Sequence, residues 1–240
     1  IQNAGEVLVF AAEDWPEHRG KGRLGVWNET GVLQKFPAEG LKILWRTPVG
    51  KGYSGPAVAN GRVFVIDFTE LKRLQGTERV LALDEKTGTM LWKHEWPAAY
   101  GGIMYANGPR ATPTVDGDRV YIQGSAGKFL AFNAATGEVL WQRDFLQEFG
   151  AKTEKYAWYY GFSSSPLVYE NLVICLAAAP NGKVMAFDKL TGKEVWRAIP
   201  GEDDLGVANP IVITAGGTKQ LIVWDPEAVY SVNPKTGAVY

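Results

Sequence analysis

Side chains that could carry reactive chemistry are scarce in this 240-residue chain, which holds one cysteine, Cys175, and two histidines, His18 and His94. One cysteine excludes an intrachain disulfide and a cysteine-built zinc site, and two histidines leave little for a histidine-based metal centre. Cys175 lies in the apolar run Leu172–Ala179, where a thiol reads as an inert core group. That run is the longest apolar stretch and is far short of the ~18 residues that a membrane span needs. His18 and His94 read as polar loop residues. Glu202-Asp203-Asp204 reads as a solvated loop, with a hard-cation site as the alternative. Gly20-Lys-Gly22-Arg-Leu-Gly25 and Gly50-Lys-Gly52-Tyr-Ser-Gly55 fit the spacing of a dinucleotide-binding turn, but neither opens a helix to receive a pyrophosphate. Gly161-Phe-Ser163-Ser-Ser165 lacks the final glycine of a nucleophile elbow, and Gly127-Lys128 lacks the rest of a P-loop. No catalytic residue and no metal ligand is assigned. With 25 Lys and Arg against 26 Asp and Glu, the net charge of −1 also argues against a generic nucleic-acid-binding surface.

The remaining chemistry is that of recognition, and the elements that position it repeat along the chain. Ala82-Leu-Asp-Glu-Lys-Thr-Gly-Thr-Met-Leu-Trp92 returns as Ala131-Phe-Asn-Ala-Ala-Thr-Gly-Glu-Val-Leu-Trp141 and as Ala186-Phe-Asp-Lys-Leu-Thr-Gly-Lys-Glu-Val-Trp196. A fourth copy is Ser231-Val-Asn-Pro-Lys-Thr-Gly-Ala-Val-Tyr240. Each is preceded by a short segment around a proline (Ser54-Gly-Pro, Ala111-Thr-Pro, Ser164-Ser-Pro, Ala208-Asn-Pro) and by a β-branched run such as Arg62–Ile66 or Arg119–Gln123. Four short strands per unit, joined by tight turns such as Asn60-Gly61 and by Asp/Asn-x-x-Thr-Gly turns, predict an all-β chain of four-stranded antiparallel blades. A unit of ~45–50 residues repeated in this way is the pattern of a β-propeller. The blades are placed at about 54–92, 111–141, 164–196 and 209–240. Trp92, Trp141 and Trp196 fall in the outermost strands, where a large ring can wedge between neighbouring blades. Leu41–Trp45 is expected to be the outer strand of a further, closing blade, with Trp45 as its wedge.

The Ala-x-Asp-x-x-Thr-Gly-x-x-x-Trp unit resembles the repeat of the PQQ-like (quinoprotein alcohol dehydrogenase-like) propeller family. The opening Asp14-Trp-Pro-Glu-His-Arg-Gly20 and Asn28-Glu-Thr-Gly31 resemble the start of bacterial PQQ-binding-like β-propeller repeat proteins. The resemblance covers nearly all of residues 14–240. It implies a ring of seven or eight blades, of which these residues supply four, and so a piece of a longer protein. It also implies export to the periplasm. Residues 1–13, with Val7-Leu-Val-Phe-Ala-Ala12, then read as a signal-peptide remnant, a first strand being the alternative.

The family contains both quinone enzymes and non-catalytic scaffolds, and fold does not decide between them. Its alcohol dehydrogenases usually carry an adjacent Cys-Cys ring beside the quinone and a Ca²⁺ held by Glu, Asn and Asp. Cys175 alone cannot make that ring, so no cofactor is expected, with PQQ and Ca²⁺ as the alternative. The favoured expectation is a scaffold that binds a protein or small ligand. The binding surface is expected on the face that collects the long crossover loops, 93–110, 142–163 and 197–208. Those loops are rich in aromatic residues, and the residue three before each strand proline should stand at the channel mouth. Tyr53, Tyr105, Arg110, Trp158, Tyr159, Tyr160 and Ser163 are the candidate contacts, with Val207 at the fourth equivalent position.

Overall fold

The protein is described here by a computed structural model covering residues 13–31, 33–157, 159–201 and 205–240. The signal-like residues 1–12, Trp158 and the Glu202–Asp204 run lie outside the described residues. The fold is a β-propeller arc of antiparallel sheets. β1 (Ala57–Ala59), β2 (Arg62–Lys72), β3 (Gln75–Asp84) and β4 (Met90–Ala99) form the first blade. β5 (Thr114–Asp116), β6 (Arg119–Gln123), β7 (Lys128–Asn133) and β8 (Val139–Asp144) form the second. β9 (Leu167–Tyr169), β10 (Leu172–Ala179), β11 (Gly182–Asp188) and β12 (Glu194–Ala198) form the third. The fourth has three described strands, β13 (Ile211–Ala215), β14 (Thr218–Trp224) and β15 (Val229–Val232), with Val239 bridged to Val232.

Each residue of the repeated motif has a geometric reason. Ala82, Ala131 and Ala186 lie directly opposite Trp92, Trp141 and Trp196 in the ladder and are fully buried, so a small side chain makes room for each indole. The Asp or Asn two residues later closes the turn: Asp188 Oδ1 accepts from the Leu190 and Thr191 N–H groups, and Asn133 and Asp84 do the same. The turn glycine then receives the tryptophan of the preceding unit. Trp45 lies over Gly88, Trp92 over Gly137, Trp141 over Gly192 and Trp196 over Gly237. The four indole N–H groups donate to the carbonyls of Glu85, Ala134, Lys189 and Pro234 at 2.9, 3.0, 3.1 and 3.2 Å. Wedge and turn are therefore two halves of one contact between neighbouring blades. Burial of each ring contributes on the order of 4–6 kcal/mol as an upper bound.

A second set of contacts links the blades through residues one or two before the strand prolines. Ser165 Oγ accepts from the Thr112 N–H at 2.9 Å, and Asn209 Oδ1 accepts from the Ser165 N–H at 2.5 Å. Ser54 donates to the Ala111 carbonyl at 2.8 Å. The N-terminal segment adds to this set. Trp15 pairs with Val58, the Val115 N–H donates to Pro16, and the Arg23 guanidinium donates to the carbonyls of Ser165, Pro166 and Pro210. Trp15, Pro16 and Arg23 thus make this segment a hub touching all four blades, with buried Arg23 held by Glu17 at 2.9 Å.

Among the described residues Leu41–Trp45 is assigned no strand and no further blade lies beside it; Trp45 makes its interblade contact. The structure corrects three other expectations. Residues 93–99 are not loop but the second half of β4, since β2 and β3 are lengthened and offer a ladder as far as Ala99. The 142–163 crossover contains two short helices, α1 (Phe145–Phe149) and α2 (Thr153–Tyr156), where no helix was expected. Asp144 caps α1 by accepting from the Leu146 and Gln147 N–H groups. His94 is not in a loop but on β4, its ring 5.1 Å from that of Phe132, and burial lowers its pKa.

The interblade contact yields a quantitative expectation. Gly192 has φ 67°, and a Cβ there would stand 2.5 Å from the Trp141 ring. Gly192→Ala should lose about 2–4 kcal/mol. Trp141→Ala combined with it should lose clearly less than the sum of the two single changes, because both remove the same contact. Urea unfolding followed by far-UV circular dichroism would measure both.

Candidate ligand-binding site among the crossover segments

Each crossover segment joins the outermost strand of one blade to the innermost strand of the next. The first crossover begins at Tyr100, whose ring stacks on Phe68 at 4.4 Å and whose hydroxyl donates to Glu78 Oε1 at 2.7 Å. Glu78 is fully buried and also accepts from Trp96 Nε1 at 2.8 Å and from the Ser125 N–H at 2.8 Å, tying the first blade to the β6–β7 turn of the second. Burial pushes the Glu78 carboxyl above its ordinary range, while donors from Tyr100, Trp96, Ser125 and Ala126 pull it back. The second crossover is knitted onto the first: Thr153 Oγ1 donates to Gly101 O at 3.2 Å, and the Tyr105 N–H donates to Tyr159 O at 2.9 Å.

On this support stands an aromatic cluster around one cation. The Arg110 guanidinium lies over the Tyr53 ring at 4.4 Å and over the Tyr160 ring at 4.7 Å. Its Nη2 donates to Tyr105 O at 2.9 Å, while its Nε is buried without an acceptor. The Tyr105 ring stacks with those of Tyr160 at 5.4 Å and Tyr159 at 6.5 Å. Arg110, Tyr160, Ser163 and Val207 line one hollow of about 340 Å³. The four equivalent positions three residues before each strand proline, Tyr53, Arg110, Ser163 and Val207, therefore meet at one place, Tyr53 through its contact with Arg110. Trp158 lies outside the described residues. Of the other large side chains expected in these loops, Trp96, on β4, and Phe162 are buried, and Met104 is exposed.

Sequence reasoning missed Glu78, although a signal was present. It shares the parity of Val80 and Ala82 on β3 and so faces inward. It also missed the buried Lys183–Asp225 pair, 2.9 Å apart, and the hub arginine, Arg23. The two glycine patterns resolve into close packing. A Cβ at Gly20 would strike the Trp15 ring, and one at Gly50 would strike the Phe68 carbonyl.

Among the described residues, no three His, Cys, Asp or Glu side chains come together as a metal site requires. Cys175 is buried in the middle of β10, where burial pushes its thiol pKa up. A lone buried thiol does not supply the vicinal pair that the resemblance associates with a bound quinone. No described helix is long and apolar enough to cross a membrane.

A family model described as outer membrane protein assembly factor BamB matches residues 16–154 and 76–240. The two matches overlap, as a repeated chain allows. The outer membrane protein assembly factor BamB of Yersinia pestis is 26% identical over 195 residues, covering 80% of this chain and 44% of that protein. The quinohemoprotein alcohol dehydrogenase ADH IIB of Pseudomonas putida is 27% identical over 150 residues, covering 59% of this chain and 21% of that protein. Among solved structures, BamB from Moraxella catarrhalis has a TM-score of 0.50 at 18% identity, covering 77% of this chain and 46% of its own. The quinohemoprotein alcohol dehydrogenase from Comamonas testosteroni has a TM-score of 0.54 at 18% identity, covering 80% of this chain and 34% of its own. The chain spans less than half the length of each of these proteins.

Glu78 offers a test of how the crossovers are held. Glu78→Gln turns one acceptor oxygen into a donor facing either Trp96 or Ser125, and should lose about 1–3 kcal/mol. The unfolded chain releases the Glu78 proton near the ordinary value of 4.5, the folded chain only at higher pH. Wild-type stability should therefore fall as pH rises through that window, and the Gln variant should lack this part of the slope. Chemical unfolding at a series of pH values would read both effects.

Proposed function

The chain belongs to the family of the outer membrane protein assembly factor BamB, and from that premise we propose that it is a binding scaffold of the bacterial cell envelope. It engages a protein partner through the axial mouth formed by its crossover segments. The observation that carries this reading is the convergence of Tyr53, Arg110, Ser163 and Val207 on one hollow, with Tyr105, Tyr159 and Tyr160 around it. Exposed tyrosines and an arginine on a rigid support are the side chains that anchor protein interfaces. The family supports a place in the envelope and a protein partner. The repeat motif shared in kind with the quinone enzymes serves blade packing here, through the tryptophans and turn glycines.

Photocrosslinking in the native envelope tests the reading. A benzoylphenylalanine at position 105 should give one defined protein adduct. The same group at Val195, exposed on the outermost strand β12, should give none. Equal labelling at both sites, or no adduct at position 105, would count against a partner at the mouth. Alcohol-dependent dye reduction by the chain after addition of PQQ and Ca²⁺ would favour the dehydrogenase reading instead.

A further inference from the structure

We propose that the hollow beside Arg110 takes a single carboxylate, presented by an extended acidic segment of a protein partner. This rests on the axial mouth being the partner-binding surface, and it names the chemistry of the central contact. Three features of the site select that ligand.

The first is the state of the guanidinium. It lies over the Tyr53 and Tyr160 rings, its Nη2 is partly used by the Tyr105 carbonyl, and its Nε is shielded. The Nη1 amino group has no acceptor among the described residues, and no described carboxylate pairs with Arg110. What remains is the end of the fork, whose parallel N–H groups match the two oxygens of a carboxylate. The two ring contacts and the bond to Tyr105 O also hold the side chain in place before a ligand arrives, which lowers the entropy lost on binding.

The second is the charge count. The other residues lining the hollow, Tyr160, Ser163 and Val207, are uncharged. One cation in neutral surroundings balances one negative charge. A phosphate dianion would call for further cations or converging backbone N–H groups.

The third is shape. Tyr53, Tyr105 and Val207 are 62%, 49% and 52% exposed, so the rim is a set of open surfaces around the arginine. A small molecule would typically be enclosed over most of its surface. Rings standing open beside a cation instead suit a chain that lies across them, with its neighbouring side chains on the tyrosines and its carboxylate on Arg110.

The test is selection of a displayed library of random seven-residue peptides on the full chain, with Arg110→Gln and Arg110→Lys panned in parallel. Enrichment of Asp or Glu at one position is expected on the wild type. It should vanish on Arg110→Gln and be weaker on Arg110→Lys, which keeps the charge without the planar fork. For a selected peptide made with blocked ends, changing that acidic residue to its amide should weaken binding about tenfold or more. An unfolding midpoint within experimental error of wild type for Arg110→Lys would show that lost binding is not lost folding. Selection of peptides without an acidic preference, acidic enrichment unchanged on Arg110→Gln, or no selected peptide at all would overturn the assignment. So would Arg110-dependent binding of polygalacturonate or of inorganic phosphate that displaces the peptides. If envelope crosslinks at position 105 persist in the Arg110→Gln protein, the carboxylate contact fails while the scaffold reading stands. If position 105 never crosslinks, the scaffold reading itself fails.

Discussion

An indole lying over a glycine, repeated four times, sets the spacing of the blades. A Cβ on the glycine would overlap the ring, and a smaller ring would leave the turn carbonyl without its N–H donor. Neither half of the contact is useful alone. The glycine must be in the left-handed region to close its own turn, with φ between 67° and 76° at the four positions. The same conformation turns its bare Cα towards the preceding blade. One residue type thus meets a local backbone requirement and a long-range packing requirement at once.

The outer contacts hold the blades side by side, and the axial contacts set the positions of their inner ends. Side chains of Ser54, Ser165 and Asn209 bond the backbone of neighbouring blades just before or at the strand prolines, so each proline begins its inner strand from a similar place. Buried Arg23 supplies donors to carbonyls of two blades that β-ladders leave unpaired. Three residues upstream of each proline, the chain is still coming from the crossover. Tyr53, Arg110, Ser163 and Val207, at this same offset, come together beside one hollow, and that cluster is a consequence of how the blades are assembled.

The first blade departs from its neighbours in a way that serves the mouth. Its long β2, β3 and β4 carry Glu78, Trp96 and Tyr100 beyond the level of the repeat and over the turn of the second blade. Glu78 is a buried carboxyl surrounded by donors, an arrangement that is rigid when every donor is met. It fixes the start of the first crossover, and the second crossover is bonded to the first. Arg110 and its tyrosines therefore stand on a support that continues into the core.

The strands, their order within a blade, the turns and the tryptophan positions were legible in the sequence, because each depends on residues close together along the chain. Hairpins close over two or three residues, and the Asp-x-x-Thr-Gly turn carries its own hydrogen bonds. The convergence of Tyr53, Arg110 and Ser163 was legible as an equivalence of positions, since a repeat maps equal sequence offsets onto equal places around an axis. What the repeat could not convey was everything that breaks it. That β4 runs on to Ala99, that His94 packs on Phe132 and that Arg23 reaches three distant carbonyls all depend on partners tens to hundreds of residues away. A strand exists only where another offers it a ladder, and a guanidinium can be buried only where acceptors have been brought to it. Local hydrogen bonding and periodicity were determined by the sequence alone; which edges are paired, which charges are buried and which arginine is left with open donors were decided only when the blades packed.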